Sequence, residues 1–291
     1  NYEQSLFQRL QRGGQQVALL TTQYRMNPSI SRFPATEFYR GAVQDAAALL
    51  DMPGQPWHKR RVLAPYVFFD VADGRATESN SSWINELEAQ LAISIVKLLL
   101  TEYEGSISTN SIGIISPYNA QVRHIRRAIA EMLGAEKAAE IEVNSVDGFQ
   151  GREKAVILFS TVRSDYARDY ALGIGFVKDE RRINVSMTRA QHSLLILGHA
   201  KTLRETPIWA KLLDDATERK CLMKATSPLS IWFESASKQM VSLDDVGEPR
   251  TVVKASVGDD ATSEVAPATG AAKTGAAKSS ASGKSARRTR R

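Results

Sequence analysis

Four stretches of the 291-residue sequence gather arginines, rings and small polar groups where an apolar run gives way to a turn or helix. In the first, Gln23, Tyr24 and Arg25 follow the apolar run 17–21, and Asn27-Pro28 then breaks the chain toward a short helix. A guanidinium beside an aromatic ring can pair with a phosphate while the ring stacks on a base. A turn with Tyr24 packed inside and Arg25 solvated would use the same residues. In the second, a strand pattern ends at Ser116, Pro117 and Tyr118 and a helix starts near Asn119. Proline at a helix start is ordinary capping grammar, yet the Ser116 hydroxyl and the unpaired amides there can hold a nucleic-acid phosphate. Arg123, Arg126 and Arg127 follow at helical spacing and read as a solvated face.

The third stretch, SVDGFQGRE (145–153), is a polar crossing between two strongly apolar runs. Gly148 and Gly151 permit positive φ or a close backbone approach. Asp147, Gln150 and Glu153 gather near one strand edge, able to bond a ribose, a water or one another. The fourth, RRINVSMTRAQ (181–191), puts three arginines on a segment whose pattern predicts a helix. Arg181, Val185 and Arg189 then share a side at i, i+4 spacing, as do Asn184 and Thr188. An arginine projecting from such a helix can cross an interface to a transferring phosphoryl group, because its planar fork stays charged and bonds oxygens in pairs.

Holding these stretches together requires a sheet. Apolar runs at 17–21, 66–71, 111–116, 141–146, 155–162 and 193–198 are rich in Val, Ile and Phe, and several are apolar throughout, as strands covered on both faces are. Helical patterns lie between them at 82–103, 120–133, the arginine segment and 202–219. This alternation predicts an α/β fold with a mainly parallel sheet and right-handed crossovers. Chemistry in such folds sits at the carboxyl ends of the strands.

Composition excludes several classes. A lone cysteine, Cys221, rules out an internal disulfide and a cysteine-rich metal site, and fits a reducing compartment. The four histidines lack ligand spacing, so no metal site is expected. No run reaches the ~20 apolar residues of a membrane span, and Lys97 interrupts the longest candidate, so no membrane partner is expected. The N-terminus lacks the pattern of a secretory signal. It opens within a helical pattern and without methionine, which reads as the later part of a longer product. Of the net charge of +6, residues 251–291 carry +5, from eight basic and three acidic residues. The basic balance therefore says little about the folded part. Residues 1–235 read as one folded domain and 236–291 as a low-complexity, disordered basic tail. Its end, SARRTRR, suits non-specific nucleic-acid contact, a nuclear address or a solubilising role. The expected location is nuclear, otherwise cytoplasmic.

In order along the chain, QYRMNPSISRFPATEFYRG, GIISPYNAQV, SVDGFQGREKAVILFSTVR and GFVKDERRINVSMTRAQHSLLILGHA resemble the second RecA-like motor domain of superfamily 1 helicases. The likeness is to the Upf1-like group, within it to the senataxin-type RNA/DNA helicases, and it covers roughly residues 1–210. Each segment is weak alone; four in the right order are specific. The resemblance implies a RecA-like, P-loop-NTPase-type fold that uses ATP and Mg²⁺. It assigns Arg25 and Arg189 to the ATP γ-phosphate, Tyr24 and Gln23 to the nucleotide's surroundings, and Glu153 to its ribose or a neighbouring polar network. Gln150 and Gly151 would belong to the same coupling segment. Ser116, Pro117, Tyr118, Ser145 and Asp147 would face single-stranded RNA or DNA, including an RNA–DNA hybrid, and the group implies 5′→3′ movement. Arg182 and Asn184 would brace the arginine helix, with Arg181 a support or solvated charge.

A P-loop needs GxxxxGK[ST] after a strand. The only GKS, at Gly283, Lys284 and Ser285, has Lys278 where the first glycine belongs and no strand before it. ATP and Mg²⁺ would thus be held mainly by a preceding RecA-like domain, and this chain alone is expected to be inactive. Two other readings share these residues: a non-catalytic nucleic-acid-binding or assembly module that keeps the fold, and a DNA-specific helicase of the same superfamily.

Overall fold

The computed structural model describes residues 5–164 and 175–241. Helix α1 (Leu6–Arg12) is capped by the Ser5 hydroxyl, which accepts from the Gln8 N–H. Strand β1 (Thr22–Gln23) pairs in parallel with β2 (Gln44–Asp45). Between them runs α2 (Pro28–Tyr39), whose N-cap Asn27 accepts from the Ser29 N–H and whose Pro28 sits in the first turn, with a second proline, Pro34, inside the helix. After α3 (Ala47–Leu50) comes β3 (Tyr66–Val71), then a hairpin of β4 (Ala76–Ser79) and β5 (Ser82–Asn85) that leads directly into α4 (Glu86–Glu102). The chain continues through β6 (Ile112–Ile115), α5 (Asn119–Leu133), α6 (Ala135–Glu140), β7 (Glu142–Asn144) and β8 (Lys154–Ser160). It ends with α7 (Glu180–Met187), β9 (Ala190–Gly198), α8 (Ala200–Leu203), α9 (Pro207–Glu218), β10 (Leu222–Ala225) and α10 (Leu229–Ser237).

Six strands form one sheet in the order β10-β3-β9-β8-β6-β7, with every pairing parallel. This is the α/β class the alternation predicts. Period-2 geometry sends successive side chains of β3 to opposite faces. Val67, Phe69 and Val71 join a core with Leu91, Ile95 and Leu99 of α4 and Ile125 and Ile129 of α5. Tyr66 and Phe68 join the other core, with Ile30 and Phe33 of α2, Ile183 and Met187 of α7, and Trp209, Leu212 and Leu213 of α9. Both faces are covered, which explains strands that are apolar throughout. Among the described residues no helix is long and apolar enough to cross a membrane.

Four expectations change. The run 17–21 forms no strand: Val17, Leu19 and Leu20 are exposed, and the chain enters β1 only at Thr22. A short apolar run says that a segment is to be covered, not what covers it. The helix predicted from Ser82 starts at Glu86, because residues 82–85 are strand β5. Its true start is marked by Asn85, which accepts from the Glu88 N–H, and by Glu86 and Glu88 in the first turn. The arginine helix ends at Met187, so Arg189 lies past its cap rather than on its face. Finally, the fold continues beyond residue 235: α10 reaches Ser237, and the Val241 N–H donates to the Lys59 carbonyl (2.9 Å). The rest of the predicted tail lies outside the described residues.

Candidate active site

The turn after β1 is built by Gln23. Its side-chain carbonyl accepts from the backbone N–H of Arg25 (2.9 Å) and Met26 (2.8 Å), while its amide donates to the Met26 carbonyl and to Asp45. Gln23 is thereby committed to the turn, leaving Tyr24 77% exposed and Arg25 aimed at the start of β9. The Asn27 N–H donates to the Gln191 carbonyl (2.8 Å) and locks the turn there.

Arg25 pairs with Glu153, and Arg189 lies near enough for its charge to be felt by both. Arg25 Nε pairs with the Glu153 carboxylate, and Arg25 Nη1 donates to the Thr188 carbonyl (2.8 Å). The other Glu153 oxygen accepts from Gln191 Nε2 (2.9 Å). Arg189 folds back on the end of α7, donating from Nε to the Val185 carbonyl (2.9 Å), from Nη2 to the Thr188 hydroxyl (2.9 Å) and from Nη1 to the Arg152 carbonyl (3.4 Å). The pairing of β8 with β9 slips between Lys154 and Val156, beside these residues, as irregularities at functional edges often do.

Two guanidinium charges and one carboxylate charge meet in this cluster. Burial, then the positive charge of Arg25, hold Arg189 below the ordinary arginine range, against the opposing pull of Glu153 and Tyr39. Burial raises the Glu153 carboxyl, but hydrogen bonds from Arg25 and Gln191 and the charges of Arg25 and Arg189 bring it below the usual glutamate value. Arg25 is thus paired with the carboxylate, while Arg189 feels it only through its charge. Gln150 and Gly151 are exposed on the adjoining loop; Gly151 takes φ +80°. Gly148 serves the other use of glycine, because a Cβ there would strike the Asn144 side chain.

A second feature is a cleft of about 590 Å³ at the carboxyl ends of β6 and β7. The structure brings Pro117, Tyr118, Ser145 and Asp147 to line it. Ser116 lies beneath, 1% exposed, its hydroxyl accepting from the Tyr118 N–H (3.4 Å), so it supports the turn rather than facing the cleft. Asp147 pairs with Arg182 through both oxygens (3.0 and 3.2 Å). Asn184 donates to the Tyr39 hydroxyl (3.0 Å), tying α7 to α2.

The three arginines of α5 divide. Arg126 donates to the Val143 carbonyl and anchors α5 to β7, Arg127 is on the exposed face, and Arg123 lines the cleft. Trp83 and Arg163 line it too, and the sequence reading assigned neither. The missed signal was Asn80-Ser81 between two short strand-like runs, a hairpin turn hidden by the helical pattern that follows.

A protein-family model described as "AAA domain" matches residues 2–201. The chain is 37% identical to "Probable helicase MAGATAMA 3" of Arabidopsis thaliana, over 91% of this chain and 32% of that protein. It is 42% identical to "Helicase SEN1" of Saccharomyces cerevisiae, over 78% of this chain and 10% of that protein. With "Probable helicase senataxin" of Mus musculus the identity is 36%, over 78% and 8%. The chain spans at most 32% of the length of these relatives.

Proposed function

Because this chain belongs to the Upf1-like group of superfamily 1 helicases, as the C-terminal part of a senataxin-type member, we propose that it completes an ATPase site shared with a preceding RecA-like domain. Arg25 and Arg189 serve as the arginines that meet the γ-phosphate. The observation that carries this reading is that Arg25, paired with Glu153, stands beside Arg189, so that two guanidinium charges face one carboxylate. Tyr24, exposed beside Arg25, supplies a ring for the base, and Glu153 with the neighbouring Gln150 and Gly151 forms the polar edge next to it. The cleft between the two domains closes when ATP binds, which brings Arg25 and Arg189 to the γ-phosphate, and hydrolysis releases that grip. In this reading the ligands of Mg²⁺ belong mainly to the preceding domain. The exposed apolar side chains of Leu6, Phe7, Leu10, Leu19 and Leu20 support burial against that domain, which accounts for a buried-strand composition at 17–21.

The cleft lined by Pro117, Tyr118, Ser145 and Asp147 carries this domain's share of the single-stranded RNA or DNA track. In the intact protein, Arg189→Ala is expected to slow ATP hydrolysis by ~10³–10⁵, the usual worth of an arginine finger. Strand binding should stay within a few-fold of the parent. Turnover within a few-fold of the parent would reject the assignment. Unwinding assays on matched RNA and DNA tracks then separate an RNA/DNA helicase from a DNA-specific one.

A further inference from the structure

The hairpin β4–β5 turns through Asn80 (φ +50°) and Ser81 (φ +58°), two left-handed residues in a two-residue loop, the geometry of a type I′ turn. It is pinned at both ends. Ser82 Oγ accepts from the Ala120 N–H at the start of α5 (3.2 Å), and the Ala76 N–H donates to Ser164 Oγ past the end of β8 (2.7 Å). The hairpin therefore stands fixed at the cleft and brings Trp83 into its wall.

Arg163 lies over that indole, its guanidinium carbon 4.3 Å from the ring centroid, and is only 9% exposed. Its placement is enforced from below. The residue before it, Val162, is buried with φ +70°, a conformation a β-branched residue adopts only when its surroundings over-determine it. The Val162 N–H donates to Glu88 (2.9 Å), and its carbonyl accepts from Asn85 Nδ2 (3.0 Å). Gln121 accepts from the Asn85 N–H (3.0 Å) and donates to Ser160 Oγ (3.1 Å), closing a buried polar network. Asn85 ends the hairpin strand that carries Trp83, so one network sets both the ring and the cation over it.

We propose that Trp83, backed by Arg163, is a stacking platform for an unpaired nucleobase, a subsite of the strand track beyond the residues that the motifs mark. The inference rests on the reading of the cleft as that track. An arginine fixed over an indole holds the ring in place by cation–π attraction. The same cleft wall carries Arg123, whose charge suits the strand's phosphates. Rings for bases and cations for backbone are the two components of sequence-tolerant single-strand binding. A merely structural clasp would need no place in the wall of an open cleft.

The test measures binding of the full chain to fluorescein-labelled oligouridylate and oligothymidylate, with and without a run of abasic positions, over a range of salt. Trp83→Leu is expected to weaken binding of base-bearing strands by about 5- to 100-fold, the range for loss of one stacked base. The salt slope should be unchanged, because no phosphate contact is removed. Trp83→Phe should recover most of the affinity, and the parent's preference for base-bearing over abasic strands should vanish in Trp83→Leu. Arg123→Ala, in contrast, should lower the salt slope. If Trp83→Leu binds base-bearing strands within twofold of the parent while Arg123→Ala weakens binding, the platform is wrong and the track stands. If neither substitution alters affinity or slope, the track reading itself fails. Equal losses in Trp83→Leu and Trp83→Phe, with a lowered unfolding midpoint in both, would make Trp83 a structural clasp and overturn the proposal.

Discussion

Glu153 is the residue that lets Arg25 and Arg189 stand together. Its two oxygens are divided between Arg25 and Gln191, and its charge offsets the repulsion between the guanidiniums. Glu153→Gln removes that charge with little change of shape, so Arg25 loses its anchor. In the intact protein, ATP turnover is expected to fall on the order of 10²-fold, the cost of a small misplacement of a catalytic group. Stability should change by less than about 1 kcal/mol, because the ion pair is substantially solvated. Steady-state hydrolysis and denaturant unfolding of one preparation measure both, and unchanged turnover would remove Glu153 from the machinery. The resemblance draws Arg25, Glu153 and Arg189 from segments far apart in the chain, and the fold places Arg25 on Glu153 with the charge of Arg189 beside them. The duties of Gln23 and Ser116 were not legible, because a side chain's hydrogen-bond partners are a tertiary property. Gln23 is held by Asp45 and the turn, and Ser116 by Tyr118, so neither is free for a ligand in the way its position suggested.

Elements explain why the sheet could be read and the hairpin could not. Strands β3, β6, β8 and β9 lie in the interior of the six-stranded order and are covered on both faces, so their sequences are mainly apolar. The hairpin β4–β5 lies outside that sheet and contains Ser, Thr, Glu and Asn around its turn. Its last strand also runs without a break into α4, whose long apolar periodicity absorbs it in any windowed reading. The turn itself offers a check. Ser81 occupies a left-handed position that costs a side-chain-bearing residue about 1–2 kcal/mol, and the second loop position of a type I′ turn favours glycine. Ser81→Gly is expected to stabilise the chain by about 1 kcal/mol, offset in part by the entropy glycine gains in the unfolded state. Urea denaturation measures this; a destabilised Ser81→Gly would mean that the hairpin does not hold this turn.

Over the whole molecule, two buried groups tie stability to pH. Burial pushes the Glu88 carboxyl up to about 8, against hydrogen bonds from the Ser160 hydroxyl and the Val162 and Thr161 N–H groups. Burial, then the charge of His192, pulls His58 down to about 4; its ring bonds the Gln55 N–H and Ser193. The signs are opposite. For Glu88 the unfolded chain, with its ordinary value of 4.5, loses its proton first, so stability falls as pH rises from 4.5 to about 8. For His58 the unfolded chain, at 6.5, gains a proton first, so stability falls as pH drops from 6.5 to about 4. Between pH 4.5 and 6.5 the two slopes cancel. Above 6.5 only Glu88 still acts, and stability should decline by about 2 kcal/mol by pH 8, at 1.36 kcal/mol per unit. Glu88→Gln keeps a neutral amide in the same space and removes that decline, leaving a profile that rises from pH 4 to 6.5 and is then level. Unfolding free energies of parent and variant from urea titrations at pH 5, 6.5 and 8 distinguish the two shapes, provided that the transition is cooperative at each pH. A parent profile that is flat from 6.5 to 8, or a Glu88→Gln profile that still declines there, would show that Glu88 is ionised in the fold and that its hydrogen-bond donors, Asn85 Nδ2 among them, outweigh its burial.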